Sequence, residues 1–188
     1  SATLCRMNFD ASRSEPSSIA AQWFPYASRS FTAGPHRLSY VDQGPADAET
    51  LLCVHGNPTW SFYYRRVIDQ FADRYRVIAI DHLGCGRSDK PSREQFPYTL
   101  ASHRDHLVQL VDQLQLQRIT LIAHDWGGAI GLTAMLKRLP TLARVVLLNT
   151  AAFPPPYIPL RIAACRFPMV GTLAVRGLNA FARAAITM

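Results

Sequence analysis

The residues best placed to do chemistry are His124-Asp125-Trp126-Gly127-Gly128, which follow the apolar run Arg118–Ala123 (RITLIA). Small residues, Ala123 and Gly127, stand two positions either side of Asp125, with Gly128 next. That small-x-nucleophile-x-small spacing is what a sharp strand-to-helix elbow requires, because larger side chains there clash with the turn's own backbone. The N–H groups opening the following helix point at any negative charge that develops there. An aspartate in that position needs no base before it attacks, since an ordinary carboxylate is ionised at neutral pH. It suits displacement at a saturated carbon bearing a good leaving group, or opening of a strained ring. A histidine is needed only afterwards, to activate water against an enzyme ester. The structural alternative is an aspartate that merely caps a helix.

Two other segments have the character of strand ends: His55-Gly56-Asn57-Pro58 and Asp81-His82-Leu83-Gly84-Cys85-Gly86. Open α/β sheets place their sites outside the carboxyl ends of strands, so these segments are expected to meet Asp125. Simpler roles compete for several residues. His55 and His124 read as structural histidines, Asp81 as a loop brace, and Trp60, Tyr63 and Tyr64 as packing. His103 and His106 share a helix face without further ligands, so no metal and no cofactor are expected.

The elements that must position these residues alternate. Trp23–Thr32 and His36–Val41 read as β-like, and Leu51–His55, Arg76–Ile80, Arg118–Ala123 and Val145–Asn149 as strands. Ser61–Phe71, Ala101–Gln115 and Ala129–Leu139 read as helices, the second capped by Ser102 with Asp105. The predicted fold class is α/β, a mostly parallel sheet flanked by helices. Residues 1–20 read as a loose leader and 21–152 as the core. After Pro154-Pro155-Pro156, residues 153–188 read as the beginning of a helical cap.

Composition narrows the partners. The chain has 188 residues, 48% hydrophobic and 18% charged, as in a globular protein. Its net charge of +7 owes much to Arg161, Arg166, Arg176 and Arg183, which no acid accompanies after residue 150. No dense basic run interleaved with aromatics appears, so no nucleic-acid partner is expected. The four cysteines lack disulfide or metal spacing, which favours a reducing, cytoplasmic setting. The opening residues lack the apolar core of a secretory signal. Phe167–Val175 falls well short of the roughly 20 residues of a transmembrane helix, so no spanning segment is expected.

Taken together, His55-Gly56-Asn57-Pro58-Thr59-Trp60, Asp81-x-x-Gly84-x-Gly86-Arg87-Ser88-Asp89-Lys90-Pro91 and His124-Asp125-Trp126-Gly127-Gly128 resemble the α/β-hydrolase superfamily. The likeness is to its haloalkane dehalogenase-like, Asp-nucleophile branch, and covers about residues 25–150. It implies that Asp125 is the nucleophile and that the backbone N–H groups of Trp126 and Asn57 form an oxyanion hole. The side chains of Asn57 and Trp126 match a leaving-group cradle, and Asn57, Pro58, Trp126 and Phe153 are the implied substrate contacts. Epoxide hydrolases usually carry an aromatic where Asn57 stands. Asn149 is an amide where one dehalogenase subgroup has its acid. The family's order is nucleophile, acid, histidine, and no histidine follows His124. The base and acid are therefore expected beyond Met188, and the 188 residues alone are expected not to turn over.

Arg161–Met188 resembles the start of the cap in cis-3-alkyl-4-alkyloxetan-2-one decarboxylases of bacterial olefin biosynthesis. That likeness implies a hydrophobic β-lactone substrate, a cis-alkene and carbon dioxide as products, and association with other enzymes of such a pathway. Haloalkane dehalogenation, or a related epoxide hydrolase activity, is the alternative, although the tryptophans are Trp23, Trp60 and Trp126, with none after residue 150. A non-catalytic binding or scaffold protein on the same fold is the reading from another class.

Overall fold

The structure, a computed structural model, describes residues 22–150. The expected leader and cap, with Phe153, lie outside the described residues.

The described strands are β1 (Ser28–Ala33), β2 (His36–Gln43), β3 (Thr50–Val54), β4 (Arg76–Ile80), β5 (Ile119–His124) and β6 (Leu142–Leu148). They form one sheet in the order β1-β2-β4-β3-β5-β6. The β1–β2 hairpin and the β2–β4 pair are antiparallel, whereas β3–β4, β3–β5 and β5–β6 are parallel. From β3 the chain crosses to β4 on one side and later to β5 on the other. That reversal opens a crevice at the carboxyl end of β3, where ligands of such sheets bind.

The continuous apolar runs in β3, β4 and β5 are explained by burial on both faces. Alternate residues divide between two cores, since successive strand side chains point to opposite faces. Leu52, Val54, Ile78, Ile80, Leu121 and Ala123 pack with α2 (Leu100–Gln113) and α3 (Trp126–Leu136). Leu51, Cys53, Val77, Ala79 and Ile122 pack on the other face with Tyr64, Ile68 and Phe24.

Several boundaries differ from expectation, four of them for a visible physical reason. The Ser61–Phe71 helix begins as a 3₁₀ turn over Ser61–Tyr64 and becomes α only at α1 (Arg65–Phe71). Two bonds tighten that turn: Ser61 N–H donates to the Asp81 carboxylate, and the Tyr64 hydroxyl to the Val54 carbonyl, each at 2.8 Å. The cap of α2 is Thr99 rather than Ser102; the two form a reciprocal capping box, and Asp105 instead pairs with Arg104 and Lys137. α3 starts at Trp126, so Gly127 and Gly128 are helical despite their low propensity. β1 begins at Ser28, because Phe24 turns into the second core.

Candidate active site

Parallel pairing of β3 with β5 puts Val54 opposite Ala123, which delivers His55-Gly56-Asn57 to the elbow at Asp125. Asp125 occupies the cap position of α3 with φ 53°, a left-handed value that is costly for a residue bearing Cβ. Its side chain does not cap the helix. Instead Oδ1 accepts a hydrogen bond from the Asn57 backbone N–H at 2.8 Å. The elbow is braced from behind: the Thr150 hydroxyl donates to the Asp125 carbonyl at 2.5 Å, and Asp125 N–H donates to Leu148 O at 3.4 Å.

The small residues are required by close approach. A Cβ on Gly56 would run into the Asp125 carboxylate and the Trp126 amide, and one on Gly127 into the Val54 carbonyl. Ala123, Gly127 and Gly128 are all buried. Trp126, as the first residue of α3, supplies an N–H with no partner inside the helix. Its side chain is 37% exposed and, with Asn57, lines a small cavity beside the carboxyl end of β3. Pro58 follows through a cis peptide and is half-buried. The structure thus brings together Asp125, Asn57, Trp126, Ala123, Gly127 and Gly128.

Asp81, fully buried, holds the third strand end. Its carboxylate accepts from Ser61 N–H at 2.8 Å and Arg87 N–H at 2.9 Å, while its carbonyl accepts from the Ser88 hydroxyl at 2.6 Å. Arg87 in turn lies over the rings of Phe24 and Trp60, tying this loop to the segment after Pro58.

His55 is fully buried between Gly56 and the His82 backbone. Burial pushes its imidazole below the ordinary value, against the opposing pull of Asp81. His124 stacks on Tyr63 with ring centroids 4.3 Å apart.

His82, Cys85, Tyr98 and His103 complete the cavity wall; the first two lie in the strand end expected to meet Asp125, the sequence suggests His103 only as a metal ligand, and it does not single out Tyr98. The His82 ring touches His55 at 4.6 Å and His103 at 5.2 Å between centroids. Cys85 Sγ donates weakly to the Asn57 side-chain carbonyl at 3.9 Å. The signal available in sequence was the strand end Asp81–Gly86, whose side chains had to face the same crevice as His55. Among the described residues, no helix is long and apolar enough to cross a membrane.

Residues 49–165 match the family described as alpha/beta hydrolase fold. A cis-3-alkyl-4-alkyloxetan-2-one decarboxylase of Shewanella oneidensis is 40% identical over 161 residues, covering 84% of this chain and 50% of that protein. A haloalkane dehalogenase 2 of Mycobacterium tuberculosis is 41% identical over 133 residues, covering 71% of this chain and 45% of that one. The solved structure of haloalkane dehalogenase DpaA from Paraglaciecola agarilytica superposes with a TM-score of 0.71 at 37% identity, over 77% of this chain and 50% of that chain. The chain spans about half the length of the curated relatives it matches. These likenesses bear out the resemblance read from the three motifs.

Proposed function

Since this chain belongs to the alpha/beta hydrolase fold family, we propose that it carries the nucleophile and oxyanion side of an enzyme that opens a β-lactone through Asp125. The observation that carries this reading is the Asp125 carboxylate, raised on a left-handed elbow and held by Asn57 N–H rather than spent on a helix cap. An aspartate so placed can attack directly. The N–H groups of Asn57 and Trp126 face the oxygen on which charge develops. Asn57, Pro58 and Trp126 are the proposed substrate contacts. The base and acid of a hydrolytic second step are assigned to no residue of this chain.

The favoured substrate is a cis-3,4-dialkyl β-lactone, decarboxylated to a cis-alkene. The ring O–C bond to the alkyl-bearing carbon and the C–C bond to the carbonyl carbon both break. Their electrons form the alkene and carbon dioxide, no water is consumed, and Asp125 ends as the free carboxylate it began as. Likeness to the Shewanella oneidensis decarboxylase extends over 84% of this chain, against 71% for the dehalogenase match at similar identity. That difference supports the lactone over a haloalkane. Cytoplasmic action beside enzymes that make the lactone fits this reading.

Dehalogenation is the second reading, supported by the solved structure at 37% identity. It consumes water: Asp125 displaces halide to form an alkyl ester, water attacks the ester carbonyl with loss of a proton, and solvent oxygen enters the carboxylate and, over repeated turnovers, the alcohol. The full-length protein, offered a β-lactone and a haloalkane separately in heavy-oxygen water, distinguishes the two. Alkene without halide release supports the proposal; halide release with labelled alcohol alone overturns it. Turnover of neither, in a folded protein, favours a binding or scaffold role.

A further inference from the structure

We propose that His55 is the positioning residue of this site: as a neutral imidazole protonated on Nδ1, it aims the Gly56–Asn57 peptide at Asp125, and the backbone of His82 selects that tautomer. The geometry leaves one assignment. Nδ1 lies 2.8 Å from Gly56 O, which can only accept, so Nδ1 carries the proton. Nε2 lies 3.1 Å from the His82 backbone nitrogen, which can only donate, so Nε2 presents its lone pair. Both ring nitrogens are thereby committed, and His55 is not a proton carrier.

The consequence reaches the carboxylate through one rigid unit. Gly56 C=O and Asn57 N–H are the two ends of a single planar peptide, pointing opposite ways. Holding the oxygen end, which accepts from His55 at 2.8 Å and more weakly from Thr59 N–H at 3.2 Å, fixes the direction of the N–H end, which donates to Asp125 Oδ1 at 2.8 Å. The bonds run in one sense, from His82 N–H through the imidazole and the peptide to Asp125, so each polarises the next. Three strand ends, those of β3, β4 and β5, are locked in a single line. Because His55 is fully buried, water does not compete for either ring nitrogen.

Two substitutions separate the halves of this line in the full-length protein. In His55→Asn the side-chain amide can still donate to Gly56 O but cannot reach His82. In His55→Gln the side chain can accept from His82 N–H but no longer holds Gly56 O. The proposal predicts that His55→Gln moves the Asn57 amide proton resonance upfield and lowers kcat roughly 100-fold with little change in KM, the scale of losing one oxyanion donor. His55→Asn is expected to keep the resonance and most of kcat. Equal effects of the two variants, or an unmoved Asn57 resonance in His55→Gln, overturn it. The wild-type protein gives a test independent of variant folding: nitrogen NMR of labelled histidine must show Nδ1 protonated and Nε2 bare in His55. A ring protonated on Nε2 overturns the proposal. The kcat effect rests on Asp125 as nucleophile, but the tautomer and the Asn57 resonance do not. Failure of that reading is therefore distinguishable from failure of this one.

Discussion

The Asn57 backbone N–H donates to the Asp125 carboxylate at 2.8 Å across 68 residues of sequence. This bond joins the ends of two adjacent parallel strands and turns a folding contact into a chemical one. It orients a carboxylate that the elbow has already lifted away from its own helix, and it aims a donor where an oxyanion can form. Both partners depend on glycine for room, Asn57 through Gly56 and Asp125 through Gly127.

Gly127→Ala tests that dependence. The added methyl would meet the Val54 and His55 carbonyls, which are backbone and cannot swing aside. A loss of about 1–3 kcal/mol in stability is expected from overpacking, together with lower activity as the end of β3 shifts. Urea unfolding measures the first and turnover the second. Wild-type values for both would show that the turn is looser than described.

Asp81→Asn tests the brace beneath the site. The amide can accept from Ser61 or Arg87 N–H but sets a donor against the other, leaving a buried N–H unsatisfied. Such a group costs about 1–3 kcal/mol. A fall in unfolding free energy within that range is expected, and no measurable change would mean that Asp81 does not hold the loop.

The histidine cluster predicts the pH dependence of stability. Burial pushes His82 well below the ordinary imidazole value and His103 down to about 3, and lowers His55 and His106 as well. Asp81 opposes this at His55, and Asp105 at His106. These histidines stay neutral when folded and take up protons when unfolded. Their contribution is intact above about pH 6.5 and is lost as pH falls towards the folded values. The expected slope is up to about 1.4 kcal/mol per pH unit for each histidine involved. Unfolding at pH 5 against pH 7 checks it, above the range where Asp105, held at about 2 by Arg104 and Lys137, begins to titrate. Stability equal or higher at pH 5 would contradict the burial of these rings.

Local pattern made the elbow legible: an apolar run, small residues at fixed offsets and an acid between them. The mostly parallel sheet was legible for the same reason, since the runs in β3, β4 and β5 have no polar face. α3 starts earlier than propensity predicts because the low helix preference of Gly127 and Gly128 is overruled by their packing against β3 and Thr150. The cap of α2 lies three residues before the expected one, because Ser102 is a partner in the capping box rather than its first member. What the sequence could not display is that His103 joins His55 and His82, whose strand ends were expected to meet. They come from β3, β4 and α2 segments, and only the strand order and the packing of α2 bring them around one cavity.

The most direct test of the account is alkene formation from a cis-3,4-dialkyl β-lactone by the full-length protein, wild type against Asp125→Asn. With Asp125 as nucleophile, the wild type gives cis-alkene and the variant none above the uncatalysed level, with both equally folded. An Asp125→Asn protein that still forms alkene at the wild-type rate would contradict it.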